Sequence, residues 1–121
     1  MSTYKDFHDL QIWKTGYELL MNVYTLTASF PGDEKYALSD QLKRSANSII
    51  ANIAESHGRY TYKDKTRVLY ITRGEIVETR SHLAVAYGRG YIKQSTFTDL
   101  NRRYTMLTQQ LNLYIKNLQN K

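Results

Sequence analysis

The sequence predicts an all-α protein, an up-down-up-down antiparallel four-helix bundle, and three observations carry that expectation. Apolar residues recur at steps of three and four along most of the chain. One Pro and six Gly in 121 residues leave few points at which a helix would have to stop. No stretch alternates apolar and polar residues with the period of two that a half-buried strand requires. At this length the chain fits a single domain with one core, and neither an internal repeat nor a linker divides it.

Each helix is predicted by its own stripe. Leu10, Trp13, Tyr17, Leu20 and Tyr24 share one helical face, and Phe30-Pro31-Gly32 ends that helix, which spans roughly residues 8–29. Leu38, Leu42, Ala46 (or Ser45), Ile49 and Ile53 form the second, over about 36–57, with His57-Gly58 as its stop. Thr61 is placed to cap a third helix over about 62–88, in which Tyr62, Leu69, Ile76 and Leu83 repeat every seven residues until Gly88-Arg89-Gly90. The second core position of those heptads is weak, being Thr72 or Arg73 and then Thr79 or Arg80. Ser95 or Thr96 caps the fourth, over about 96–119, where Phe97, Leu100, Tyr104, Leu107, Leu111, Tyr114 and Leu118 alternate steps of three and four. Trp13 and Ile49, central on their stripes, are expected in the core.

The second helix also carries a polar line. Gln41, Ser45, Ser48, Asn52 and Glu55 fall roughly 90° around from its apolar stripe. Such a line is either a solvated edge whose small residues admit a neighbouring helix, or a second packing surface against another subunit. Ser and Asn compete with the helix backbone for hydrogen bonds, which favours a constrained surface over a free one. The expected oligomer interface is therefore Gln41, Ser45, Ser48, Asn52 and Glu55.

Charge and composition narrow the function. Seventeen Lys and Arg against eleven Asp and Glu give a net charge of +6, which favours a polyanionic partner. The segment GRYTYKDKTR interleaves Arg59, Lys63, Lys65 and Arg67 with Tyr60 and Tyr62, and Arg73 and Arg80 extend the basic line along the third helix. Cations that neutralise phosphates beside rings that stack on unpaired bases are what single-stranded RNA or DNA binding needs. Arg59, Tyr60, Lys63, Lys65, Arg67, Arg73 and Arg80 are the candidate nucleic-acid residues. The competing expectation is that Tyr62 is core and the charges only solvate a turn.

Other chemistries lack their residues. The absence of cysteine removes disulfides, thiolate nucleophiles and Cys-ligated metals together. His8, His57 and His82 lack ligand partners at helical spacing apart from Glu78, four residues before His82, so no metal site and no cofactor is expected. Arg80 and His82 are too close, and Arg73 and His82 too distant, for a helical ribonuclease pairing. The serines have no His and Asp companions in context, and no glycine-rich phosphate loop follows a strand. The expectation is a non-enzyme. With no apolar leader and no stretch long enough to span a bilayer, a cytoplasmic location away from membranes is expected.

Taken together, FHDLQIWK, YTLTASFP, QLKRSANSIIANIAESHGR, TRGEIVETRSHLAVA and GYI resemble the four helix bundle family that includes proteins encoded in intervening sequences of 23S ribosomal RNA genes. The resemblance runs from about Phe7 to Leu118 and implies a homopentameric barrel of bundles. It also implies kinship with a basic accessory protein of diversity-generating retroelements that contacts nucleic acid and a reverse transcriptase. The chain departs from the family pattern at Ser56-His57, where a Gly usually follows the Glu, and at Gly74-Glu75, where Gly-Ser is usual. The second departure puts a charge where a small hydroxyl is expected. Three functions compete: an oligomeric nucleic-acid-binding adaptor, a scaffold that binds only protein, and a bundle enzyme or metal carrier.

Overall fold

Two aspartates start the first helix. In the computed structural model, which describes residues 6–119, the Asp6 carboxylate accepts the Phe7 N–H and the Asp9 carboxylate accepts the Asp6 N–H. That reciprocal cap winds Phe7–Asp9 into a 3-10 turn. Leu10 is extended, so the predicted first helix is split into this turn and α1, Gln11–Thr27. The Thr27 hydroxyl donates back to the Val23 carbonyl, and the Ser29 hydroxyl donates to the Leu26 carbonyl, one of those the helix end leaves open. A second 3-10 turn, Gly32–Glu34, precedes α2, Leu38–Gly58.

Thr61 caps α3, Tyr62–Gly88, as expected, its hydroxyl accepting the Asp64 N–H at 3.1 Å. Gly90, at φ +78°, closes the other end, and the Gly90 and Tyr91 N–H groups donate to the Tyr87 and Ala86 carbonyls. Only glycine adopts that conformation without strain. The fourth helix, α4, is Gln94–Gln119. Ser95 and Thr96 lie inside its first turn rather than capping it, because buried Ile92 already aims the chain along the bundle and the Lys93 carbonyl accepts the first helical N–H, from Phe97.

Short connections make consecutive helices antiparallel neighbours. Both α1 and α3 pack on α2 and on α4, while the backbones of the diagonal pairs stay further apart among the described residues. The result is a square, up-down-up-down four-helix bundle. At one end the Tyr91 hydroxyl donates to the Glu34 carboxylate at 2.8 Å and the Tyr91 ring packs on Phe30, tying the two connections there together.

The α2 stripe of Leu38, Leu42, Ala46, Ile49 and Ile53 is buried as predicted, with Ser45 beside it. The α1 stripe is rotated from the prediction. Ile12, Gly16, Leu19, Leu20, Val23 and Thr27 face inward, whereas Trp13 is only half-buried and Tyr17 and Tyr24 are exposed. The cause is the approach of α2. A Cβ on Gly16 would lie 2.6 Å from Ile50 Cγ2, so no large ring fits at that crossing and the aromatic residues turn to the flank. On α3 the weak heptad positions are filled by Thr72 and Thr79, both fully buried, and not by the arginines; Tyr62 is exposed. On α4, Leu100, Tyr104, Leu107 and Leu111 are buried, but the last core position is Ile115, with Phe97, Tyr114 and Leu118 partly covered. A strict seven-residue pattern drifts about 20° per heptad around a straight helix, which brings the neighbouring residue inward by the last turn.

This packing sets three expectations. Ile49→Ala should cost about 2–5 kcal/mol in urea melts, since the side chain is fully buried between helices. Gly16→Ala should destabilise by about 1 kcal/mol, because overpacking against a β-branched neighbour outweighs the gain in helix propensity. Gly74→Ala, on an open part of α3, should instead stabilise by about 0.5–1 kcal/mol. Equal gains at the two glycines would show that α1 and α2 are not in contact at Gly16.

Candidate nucleic-acid interface

The polar line on α2 packs against α3 of the same chain. Ser45 is buried, with its hydroxyl donating to the Leu42 carbonyl and lying 2.9 Å from the Thr79 hydroxyl. The Asn52 amide donates to the Glu75 carboxylate, which Ser48 also hydrogen-bonds. Ser56 donates to the Lys65 carbonyl at 3.1 Å. Small polar side chains therefore let two backbones approach closely, and each finds a partner across the contact. Gln41 and Glu55 remain exposed, and Glu55 holds Arg59 at 2.7 Å. Ser48 and Asn52 are half-buried, so part of the line still reaches the surface.

At Glu75 the resemblance implies a small hydroxyl, and the charge found there is accommodated by that contact. Burial pushes its carboxyl above the ordinary value of 4.5, while the hydrogen bonds from Asn52 and Ser48 pull it back and nearby Glu78 adds a smaller upward push.

The basic candidates divide into three groups. Lys65 Nζ donates to the Ser56 and His57 carbonyls at 3.3 and 2.9 Å, so it caps the C-terminus of α2, where helical carbonyls lack partners and cations are favoured. Its desolvation there lowers its pKa. Arg73 and Arg80 tie α3 to α4: one donates to Asn112 at 2.6 Å while lying over the Tyr70 ring, and the other donates to Asn101 at 2.7 Å. Their guanidinium groups are half-committed to structure.

Tyr60, Lys63 and Arg67 form the third group. Tyr60 is 95% exposed immediately before α3. Lys63 and Arg67 are exposed one turn apart on the outer face of α3, and neither has an ion pair among the described residues. Arg59 is adjacent but shared with Glu55, whose hydrogen bond and charge hold its pKa up. Arg59, Tyr60, Lys63 and Arg67 thus lie at or just after the α2–α3 turn, whereas Lys65 at the same turn and Arg73 and Arg80 further along α3 are bonded within the bundle.

Sequence reasoning missed a further feature, the row of rings on the flank of α1. Trp13 and Tyr17 stack at 5.2 Å, and Tyr24 lies further along the same side. Gly16, in the middle of the proposed stripe region, was the available signal that α1 was to be turned. Among the described residues no three His, Asp or Glu gather closely enough to hold a metal ion, and no helix is long and apolar enough to cross a membrane.

Fold and surface together define a basic four-helix bundle with cations grouped at one exposed helix-helix turn. The chain belongs to the 23S rRNA-intervening sequence protein family, which it matches over residues 8–113. It is also similar to the crystal structure of a protein of unknown function from the S23 ribosomal protein family of Bacteroides thetaiotaomicron. The two are 25% identical and superpose with a TM-score of 0.79, over 87% of this chain and 95% of that one. A search of curated proteins found no match.

The buried contact generates a pH expectation. The Glu75 carboxyl binds its proton more tightly in the folded protein than in the unfolded chain, so folding stability falls as pH rises from about 4.5 through the raised folded value. Glu75→Gln removes the charge and keeps an acceptor for Asn52. Its melting temperature should exceed that of the wild type at pH 7, and the difference should vanish below pH about 4 as Glu75 protonates. A constant difference across that range would assign the effect to packing.

Proposed function

We propose that this protein is a non-enzymatic, oligomeric adaptor that binds RNA or DNA through the turn between α2 and α3. The observation that supports it most is the exposed group Tyr60, Lys63 and Arg67: an open ring and two cations with no ion pair among the described residues, all near one turn of a chain of net charge +6. The name of its family, drawn from intervening sequences of 23S rRNA, is consistent with an RNA context. The family resemblance also suggests five copies in a ring and a protein partner such as a reverse transcriptase. In a ring the turn is repeated around the axis, so a modest single-site attraction becomes multivalent. The exposed parts of the α2 line, Gln41, Ser48, Asn52 and Glu55, are the proposed contact between copies; Ser45 is used within the protomer.

A protein-only scaffold is the rival, and one observation favours it. Lys65, Arg73 and Arg80 are bonded within the chain, which leaves fewer cations for phosphate than the sequence offers.

Charge substitutions separate these readings. If two or three phosphates are neutralised per bound protomer, log affinity should fall with log salt at a slope of about −2 to −3 on duplex. Lys63→Glu with Arg67→Glu should weaken binding about tenfold or more to all sequences, flatten that slope and leave the melting temperature nearly unchanged. Lys65→Gln should do the reverse, costing about 1 kcal/mol of stability as the α2 cap is lost, with binding largely retained. Gel shifts at two salt concentrations beside thermal melts measure both. No binding at low salt to RNA, single-stranded DNA or duplex would leave the protein-only scaffold, and native mass reports the number of copies.

A further inference from the structure

We infer that the flank of α1 is a stacking platform for a short single-stranded segment of nucleic acid, separate from the α2–α3 turn. The inference rests on the nucleic-acid reading above but uses different residues. Its core is a stack already in place. The Phe7 ring meets Trp13 edge-on at 5.4 Å, and Trp13 lies nearly parallel to Tyr17, 5.2 Å away and 12° from coplanar. Trp13 packs partly against the core and meets half-buried Phe7, so Tyr17 is backed by a ring that cannot swing freely. Tyr17 nevertheless stays 43% exposed, and Tyr24, two turns on, is 48% exposed with Met21 between them.

The spacing suits unpaired bases. Seven helical residues put Tyr17 and Tyr24 about 10.5 Å apart along the axis, close to three steps of roughly 3.4 Å in a stacked strand. Two stacked bases, one on Tyr17 and the next on Tyr24, would span that distance. A preorganised ring loses little freedom on binding, and stacking tolerates any base because each has a π-face.

Cations stand at both ends of the row. Lys14 is exposed beside Trp13. At the other end Tyr24 shares a cleft of about 240 Å³ with Lys43, Arg44, Asn47 and Asp40 across the α1–α2 groove. Arg44 is paired with Asp40 only at 3.5 Å and its side chain is 79% exposed, so it can turn to a phosphate at small cost. Asp40 lies in that cleft with Arg44 as its partner, and Glu18 is exposed next to Tyr17. The exposed apolar surface here consists of rings and one Met, without the Leu, Ile or Val anchors that a docked amphipathic helix presses into a groove. Flat rings bracketed by cations fit a polyanion with open base faces, and duplex, whose bases are already stacked, offers no such faces.

The chain has one tryptophan, so Trp13 reports directly on the platform. Titration with a twelve-nucleotide oligouridylate should change Trp13 fluorescence, and duplex RNA of equal length should not. Tyr17→Leu with Tyr24→Leu keeps apolar bulk but removes the rings. This variant should lose about tenfold or more in affinity for the oligouridylate, while Tyr17→Phe with Tyr24→Phe should bind like the wild type. Circular dichroism and light scattering establish that fold and mass are kept. If the Leu variant binds as the wild type does while Lys63→Glu with Arg67→Glu abolishes binding, the platform is wrong and the α2–α3 turn stands. If the wild type binds neither oligouridylate nor duplex at low salt, both readings fail. A lower mass for the Leu variant than for the wild type would identify this flank as a contact between copies and overturn the inference.

Discussion

The contact between α2 and α3 is the constraint on which the rest of the molecule depends. These helices are joined by three residues, and along their length Ser45 meets Thr79, Asn52 meets Glu75 and Ser56 meets Lys65. Each pairing combines a small side chain, which lets the backbones close, with a hydrogen bond, which fixes one helix lengthwise against the other. An apolar pair tolerates sliding because dispersion is not directional. A row of satisfied polar pairs does not, since a shift by one turn would leave several buried groups without partners. With this hairpin in register, α1 and α4 are docked on a surface whose shape is already determined.

The docking of α1 shows how such a constraint propagates outward. Ile50 points from α2 toward α1, and only a residue without a Cβ can sit opposite it. Gly16 takes that place, the helix turns to put it there, and Trp13, Tyr17 and Tyr24 are carried to the flank together. A packing decision in the core thereby sets the chemistry of a surface. The same logic works at α4, where Asn101 and Asn112 receive Arg80 and Arg73 and convert two cations into braces between helices.

Charge in this protein accordingly has two uses that composition does not distinguish. Lys65 neutralises the carbonyl end of α2, Arg59 balances Glu55, and Arg73 and Arg80 hold α4. Lys63 and Arg67 have no such duty among the described residues, and together with Tyr60 they stay exposed at the α2–α3 turn. Glu75 marks the opposite case, a charge introduced at a contact between helices and tolerated because Asn52 and Ser48 are positioned to donate to it.

The sequence by itself determined the helices, their order and their antiparallel arrangement, because a three-four periodicity, one proline and strong local stops leave no other way to bury the apolar faces. It also determined membership in the family, through blocks spread over nearly the whole chain. It placed the α2 core and the Thr61 cap correctly, since both depend on neighbours within a turn or two. It could not orient α1, choose Thr79 over Arg80 at an α3 core position, or say whether the α2 polar line admitted a neighbouring helix or packed against another subunit. Those outcomes depend on which side chain from another helix arrives opposite, and residues far apart in sequence carry no mark of that meeting. The division of the basic residues was decided in the same way: Lys63 and Lys65 look alike in GRYTYKDKTR, and only the position of α2's last carbonyls makes one a cap and leaves the other free.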